Sequence, residues 1–191
     1  KEKEKQGREI TFVGLTPKRN NKAFLVKRIP LRAADAIAAD SGLTIVAVPD
    51  LYPFDCGIDH TTADKLIDGM KALFVEAVRT KPGYTADMEQ RFHVFCFKHD
   101  MEALLLAAKD RLLARLHPCR PASWETWTEP VEDQDNDTPP ARVVKRLFRE
   151  CGKFYSKTLD APVILDNVPA RILAERCPQQ FGPFARFIET L

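Results

Sequence analysis

One segment, residues 62–79, constrains the fold of this chain more than any other. Its apolar residues recur every three or four positions, which places them along one face of an α-helix. The residues of that face are Leu66, Met70, Leu73 and Ala77. Thr62 can cap the start, and Lys81-Pro82-Gly83 is typical of a helix end. The pattern predicts a helix over residues 62–79 with one buried face.

The N-terminal part of the chain predicts a β-hairpin. Two β-rich runs, Ile10–Leu15 and Lys22–Leu31, flank a turn that contains asparagine. Pro30 would end the second strand, because it cannot donate a hydrogen bond to a ladder. The tip of the hairpin would then carry three bases. They are Lys18, Arg19 and Lys22.

Other elements follow from similar patterns. Compact apolar or aromatic runs at 44–48 and 92–97 predict strands. Amphipathic or capped segments predict further helices. These helices cover residues 31–40, 101–116, 139–153 and 169–176. We therefore expect an α+β fold with an N-terminal β-hairpin and about three main helices.

The predicted domain organisation is simple. Residues 1–8 alternate Lys and Glu and predict a flexible terminus. Residues 9–191 predict a single α+β domain, since domains usually run to about 100–200 residues. Residues 121–140 predict an acidic loop that is mobile in its second half.

The cysteines and hydropathy indicate a cytoplasmic protein. The chain has five cysteines, an odd number without C-x-x-C spacing, so we expect free thiols in a reducing compartment. They are Cys56, Cys96, Cys119, Cys151 and Cys177. The charged residues 1–8 do not form a signal peptide, and no apolar run reaches the roughly 18–20 residues of a membrane helix.

Charge is strongly segregated along the chain. Residues 1–32 hold ten Lys or Arg against three Glu, and residues 121–138 hold six acids and no base. Residues 142–157 hold six bases and one acid. Local fields of this kind select partners more than the net charge of +2 does.

The second basic segment predicts a phosphate-binding stripe. Bases at helical spacing lie opposite the apolar side of the predicted helix 139–153, and such a stripe can neutralise several phosphates. The alternative is a solvated outer face. The predicted nucleic-acid contacts combine this stripe with the hairpin. They are Lys18, Arg19, Lys22, Lys27, Arg28, Arg142, Lys145, Arg146, Arg149 and Lys153.

The sequence shows no familiar catalytic motif. The glycines do not form a nucleotide-binding loop, and neither G-x-S-x-G nor H-E-x-x-H occurs. Two clusters could attract a metal, namely Asp55, Cys56, Asp59 and His60, and His93, Cys96 and His99. In a strand, His93 and Cys96 would point to opposite faces. We expect no metal, no cofactor and no enzymatic activity.

Residues 23–42 resemble the opening of ribbon-helix-helix regulators. They contain a basic run, Phe-Leu-Val-Lys-Arg-Ile-Pro-Leu, followed by a short amphipathic segment that ends at Gly42. In that family, paired strands from a dimer enter the major groove. The resemblance implies a DNA-binding homodimer with Lys27 and Arg28 as strand contacts. Residues 43–48 depart from it, because a strand is predicted where the second helix should begin.

Residues 57–78, with their Ala-Asp-Lys-Leu-Ile core, resemble AcaB-like regulators of conjugative elements. Those proteins are linked to transcriptional control of transfer genes. The resemblance implies a regulator that a plasmid or other mobile element encodes.

These observations favour a DNA-binding transcriptional regulator that acts as a homodimer. A second reading is an adaptor or assembly subunit of a nucleoprotein complex that uses Trp124 and Trp127 as anchors. A third is a metal-dependent nuclease or hydrolase with Asp55 and Asp59 in its site. The acidic loop could also fold back over the basic helix and compete with a polyanion.

Overall fold

A computed structural model describes residues 11, 13, 22–51, 57–98, 100–134 and 137–191, with only the backbone of residues 22–25. The chain forms two compact units. The first unit comprises Lys1–Cys96 with Arg186–Leu191, and the second comprises Phe97–Ala185. Since compactness does not show that either unit folds alone, the single domain over 9–191 stays a prediction.

The described part of the first unit is a βαβ arrangement preceded by a helix. It contains α1 (Lys22–Ala39), β1 (Ile45–Ala47), α2 (Ala63–Arg79) and β2 (Phe92–Val94), with a 3-10 helix at Ala86–Arg91. The two strands are parallel, and Ile45 lies opposite Phe92. A parallel pair needs a crossover connection, which α2 supplies.

Helix α2 confirms the prediction for residues 62–79. Thr62 caps it, because the Thr62 hydroxyl accepts a hydrogen bond from the backbone N–H of Lys65 at 3.3 Å. Its buried face includes Leu66, Met70 and Phe74, and the Phe74 ring lies 4.6 Å from that of Phe92. The apolar period of 3.6 residues thus identified both the helix and the face that packs on the sheet.

The predicted hairpin is wrong where the structure describes it. Residues 22–39 form one helix, α1, and Pro30 lies inside it. Val26, Ile29, Ala33 and Ile37 recur at helical spacing and belong to the core that α1 forms with α2. Burial of a helical stripe therefore overrode the β-propensity of the run. Lys18 and Arg19 lie outside the described residues.

This changes the fold class. The described residues are mostly helical, with a small sheet of two short parallel strands, so the α+β fold with an N-terminal hairpin is wrong. Lys27 and Arg28 lie on α1 and not on a strand. The basic strand implied by the ribbon-helix-helix resemblance is therefore helical from Lys22 onward.

The second unit is built from helices. They are α3 (Glu102–Ala107), α4 (Lys109–Leu116), α5 (Pro140–Glu150), α6 (Lys157–Leu165), α7 (Ala170–Arg176) and the start of α8 (Phe181–Thr190). α3 packs against α5, α6 and α7 and is buried along its whole length. Leu105, Leu147 and Ile164 belong to its core.

The helix predicted over 101–116 is interrupted at Ala108. Every residue of α3 is buried, whereas α4 buries only Leu112 and Leu116. A change of direction at Ala108 lets the second segment expose its polar face. The carbonyl of Ala107 accepts a hydrogen bond from the Arg176 guanidinium at 2.6 Å, which satisfies an acceptor near the break.

The end of α5 is tied to the end of α4 by a disulfide between Cys119 and Cys151. The prediction of free thiols is therefore wrong for these two, because spacing in sequence did not reveal that the fold brings them together. Cys96 and Cys177 are free and buried, and Cys56 lies outside the described residues. Among the helices described, none has the length and apolarity needed to cross a membrane.

The disulfide should contribute measurably to stability. Its cysteines are 32 residues apart, so reduction should lower the free energy of unfolding by about 3–4 kcal/mol. Urea unfolding with and without dithiothreitol measures this. The double variant Cys119→Ser, Cys151→Ser should unfold at the lower midpoint in both buffers. Equal midpoints for the oxidised and reduced native protein would contradict the assignment.

Candidate nucleic-acid interface

The outer face of α5 carries three exposed bases. Arg142, Lys145 and Arg149 are spaced by three and four residues, which places them along one stripe. The opposite face is buried in the second unit. Its residues are Val143, Val144, Leu147 and Phe148. The buried face fixes the rotation of the helix, so the three basic side chains all reach solvent. We call these three residues the α5 stripe.

Two residues of the α5 stripe have no internal partner. Within the described part of the chain, Lys145 and Arg149 form neither a hydrogen bond nor an ion pair. Arg142 donates one hydrogen bond, from Nη1 to the backbone carbonyl of Asp137 at 2.5 Å. The stripe therefore keeps most of its hydrogen-bond donors available for an anion.

Arg146 was predicted to belong with these residues, but it is only half-exposed. Its Nη2 lies 3.4 Å from the Thr126 hydroxyl, and its Nε is buried without a hydrogen-bond partner in the described residues. The side chain is thus directed at the loop that packs beside α5. It can contribute positive potential to the stripe but has less freedom to clamp a phosphate.

Lys153 was also predicted as a phosphate contact, and its ammonium is already engaged. Nζ donates to the backbone carbonyls of Arg115 and Leu116 at 3.0 Å and to that of His117 at 3.2 Å. These carbonyls end α4 and have no partner within the helix, and a cation there also meets the negative end of the helix dipole. Lys153 therefore stabilises the fold, and it lies beyond α5.

The one acid of α5 is also turned away from phosphate contact. The carboxylate of Glu150 accepts hydrogen bonds from the backbone N–H of Ser123 at 2.9 Å and from its hydroxyl at 2.8 Å. These bonds lower the pKa of Glu150 below its ordinary value. Glu150 is ionised and held by Ser123, while the stripe beside it carries only positive charge.

The acidic loop contacts other parts of the second unit. Glu125 and Glu129 pair with Lys109, and Asp133 pairs with Lys98. Glu132 is buried and accepts hydrogen bonds from the backbone N–H groups of residues 179–181, which lead into α8. Such a carboxylate satisfies donors that a helix start leaves free.

The described acids of the loop do not cover the α5 stripe. The loop contacts the stripe where Arg142 donates a hydrogen bond to the backbone carbonyl of Asp137, and this carbonyl carries no full charge. Val131, Glu132 and Gln134 are buried, so this part of the predicted mobile loop is docked. The hypothesis that the loop competes with a polyanion therefore loses its electrostatic basis among the described residues.

Trp127 is part of the core of the second unit. Only 6% of it is exposed, and its ring makes an edge contact with the half-buried Trp124 at a centroid distance of 5.2 Å. The Lys109 ammonium lies over the Trp127 ring at 5.7 Å. These contacts inside the unit occupy the indole that the adaptor reading would use as an anchor.

The two groups that could attract a metal do not form a ligand set among the described residues. His60 is buried, and its ring nitrogens lie 2.7 Å and 3.0 Å from the carbonyl oxygens of Ile58 and Leu51, which leaves neither directed at a metal. Asp55, Cys56 and His99 lie outside the described residues. No group of three potential ligands occurs in the part of the chain that the structure describes.

The remaining titratable candidates are unsuited to nucleophilic chemistry. Burial, with the nearby charges of Asp50 and Asp64, raises the pKa of Cys96 to about 12, so its thiol stays protonated at neutral pH. Burial also lowers the pKa of His93, whose ring lies 4.2 Å from that of Phe187. Both residues act as parts of the packed first unit.

Sequence reasoning did not select two acids that lie near Cys96. Asp50 follows β1 and Asp64 opens α2, and both carboxylates lie close enough to the Cys96 sulfur to raise its pKa. Sites in βαβ arrangements usually lie outside the carboxyl ends of the strands. The signal available in the sequence was Asp50, an acid two residues after the predicted strand 44–48.

Comparison with known proteins gives one match. Residues 10–191 match the family described as a domain of unknown function (DUF4276). The chain belongs to this family. No curated protein and no solved structure matches it. The DUF4276 match covers the described residues of both compact units, including the α5 stripe and the acids after β1.

Substitutions of Lys153 and Arg149 should differ in their effect on the stability of this DUF4276 chain, because Lys153 caps α4 and Arg149 is exposed. Lys153→Met should lower the free energy of unfolding by about 2 kcal/mol, because three carbonyls lose a charged donor. Arg149→Met should change it by less than about 0.5 kcal/mol, as is usual for an exposed side chain. Urea unfolding compares the two, and equal effects would contradict the different roles.

Proposed function

We propose that this chain binds nucleic acid, and DNA in particular, through the α5 stripe. The observation that supports this is the alignment of Arg142, Lys145 and Arg149 on one exposed helix face, where Lys145 and Arg149 make no ion pair or hydrogen bond with the residues that the structure describes. A row of cations opposite a row of phosphates releases condensed counterions, and this release drives binding.

The arrangement differs from an ordinary solvated helix face. Solvated faces usually alternate the sign of charge along the helix. Here the acid nearest the stripe, Glu150, is bonded to Ser123, and the acids of the loop pair with Lys109 and Lys98. The fold thus pairs these loop acids with lysines of the second unit and leaves the bases of the α5 stripe exposed.

The biological setting rests on the resemblance of residues 57–78 to AcaB-like regulators. It supports a transcriptional role on a conjugative element, with a cytoplasmic location and a second copy of the chain as partner. Disulfides are rare in a reducing cytoplasm. If the protein is cytoplasmic, as proposed, the Cys119–Cys151 disulfide is reduced to two thiols while that compartment stays reducing.

The test uses a charge reversal with a matched control. The double variant Lys145→Glu, Arg149→Glu should weaken binding to a labelled DNA oligonucleotide by about tenfold or more at low salt. Loss of two phosphate contacts should also reduce the slope of log affinity against log salt by about 2. Fluorescence anisotropy over a salt series measures both quantities.

The control is Lys65→Glu, Lys71→Glu on the exposed side of α2, which changes the net charge equally. It should keep nearly all of the affinity. Equal losses in the two double variants would show that total charge matters and the α5 stripe does not. Absence of DNA binding by the native protein at low salt would remove the proposal.

A second function, metal-dependent hydrolysis of a phosphodiester, is favoured by one observation. Asp50 follows β1 by three residues and Asp64 lies in the first turn of α2, and each is close enough to Cys96, which follows β2, to raise its pKa. Carboxylates at such a place can hold Mg²⁺ or Mn²⁺, which would activate a water and stabilise the leaving oxygen.

Cleavage of labelled DNA with added Mg²⁺ or Mn²⁺ tests this second function. The Asp50→Asn variant should then lose at least about 100-fold in rate, because a neutral amide is a much weaker ligand for a hard cation. Asp68→Asn, on the exposed surface of α2, should keep its activity. No cleavage by the native protein with either metal would exclude the hydrolase.

A further inference from the structure

Phe154 is the most exposed large apolar side chain among those described in the second unit. It is 98% exposed, although phenylalanine usually buries most of its surface. It lies in the short connection between α5 and α6. An isolated exposed apolar residue is ordinary, so the question is whether its surroundings select a ligand.

The backbone around Phe154 is held in place. Gly152 has φ of +65°, and the N–H groups of Gly152 and Lys153 bond the carbonyls of Arg149 and Phe148, each at 2.9 Å. This pair of bonds closes the end of α5 with a left-handed glycine. The chain therefore leaves the helix in a fixed direction immediately before Phe154.

Both neighbours of Phe154 are directed inward. The Lys153 ammonium bonds the last carbonyls of α4, and the Tyr155 hydroxyl donates to Glu102 at 3.0 Å. The Tyr155 ring also packs against Phe148 at a centroid distance of 5.3 Å. Phe154 is thus presented to solvent by anchored neighbours, which reduces the entropy that a binding partner must remove.

The α5 stripe ends five residues before Phe154. Phe154 follows Arg149 by five residues, so their Cα atoms are at most about 18 Å apart. The two buried acids of this region are both paired, Glu102 with Lys157 at 3.1 Å and Asp160 with Arg115 at 2.7 Å. The end of the α5 stripe therefore lies within about 18 Å of Phe154, and the buried carboxylates Glu102 and Asp160 are each paired with a base.

We propose that Phe154 stacks on an unpaired base of a single-stranded nucleic acid whose phosphates lie along the α5 stripe. This rests on the proposed function and specifies its ligand. Phosphate contacts alone do not distinguish a single strand from a duplex. An exposed ring does, because bases in a duplex are stacked on one another, whereas an unpaired base offers a free face to an aromatic side chain.

The proposal thus makes a single strand, rather than a duplex, the preferred ligand of the surface formed by Phe154 and the α5 stripe. Stacking is tolerant of sequence, since every base has an aromatic face. The fixed ring then serves as a platform, and the stripe follows the backbone. The residues from Arg142 to Arg149 extend over about 10 Å of helix.

The experiment compares a labelled oligothymidine of about 16 nucleotides with a duplex of equal length at low salt. Phe154→Ala should weaken binding of the single strand by about tenfold and leave duplex binding unchanged. Phe154→Trp should keep the affinity, and its added tryptophan emission should be quenched when the strand binds. Leu159→Ala, which shortens an exposed aliphatic side chain on α6, should change neither affinity.

Each contrary outcome has its own meaning. If the Lys145→Glu, Arg149→Glu variant loses affinity but Phe154→Ala does not, the proposed function stands and the stacking role is wrong. Equal losses of single-strand affinity from Phe154→Ala and Leu159→Ala would indicate a nonspecific apolar contact with the strand and would overturn stacking on Phe154. Absence of binding to either oligonucleotide removes both proposals. Circular dichroism verifies that the exposed-site variants are folded.

Discussion

The surface of the second unit depends on how α5 ends. Gly152 closes the helix, the Cys119–Cys151 disulfide links it to the segment after α4, and the Lys153 ammonium binds the last carbonyls of α4. A covalent bond and a charged cap thus act on the same junction. Because this junction fixes the end of α5 against α4, it also sets where Arg149 and Phe154 meet solvent.

Internal pairing decides which charges remain for a partner. The fold uses Lys153 as a helix cap and turns Arg146 toward Thr126, and it uses Glu132 to bind the N–H groups that precede α8. Such groups are costly to leave unsatisfied, so their charges belong to the structure. The α5 stripe stays exposed, and the exposed acid beside it, Glu150, is bonded to Ser123. A count of the bases along the sequence therefore overstates how many of them are available to a partner, although it gives the correct sign for the charge of the α5 stripe.

The sequence predicted elements whose signal is local. Helix α2 has a cap at Thr62 and an uninterrupted apolar period, and β1 is a compact β-branched run, so both were found. The first half of helix α1 was missed, because Pro30 and the β-rich run before it indicate a strand unless packing against α2 is known. The helix predicted over 31–40 is the second half of α1. The break at Ala108 and the Cys119–Cys151 bond depend on the tertiary arrangement and leave no local pattern. The role of Lys153 was missed for the same reason.

The same reasoning explains why Phe154 was not selected from the sequence. A phenylalanine between Lys153 and Tyr155 is indistinguishable from a core residue until its neighbours are known to point inward. Because Lys153 and Tyr155 point inward, their contacts hold the Phe154 ring in solvent. Exposure of this kind costs the fold little, because Lys153 and Tyr155 supply the anchoring. It also means that Phe154 can change without disturbing the core, so its effect on binding is separable from its effect on stability.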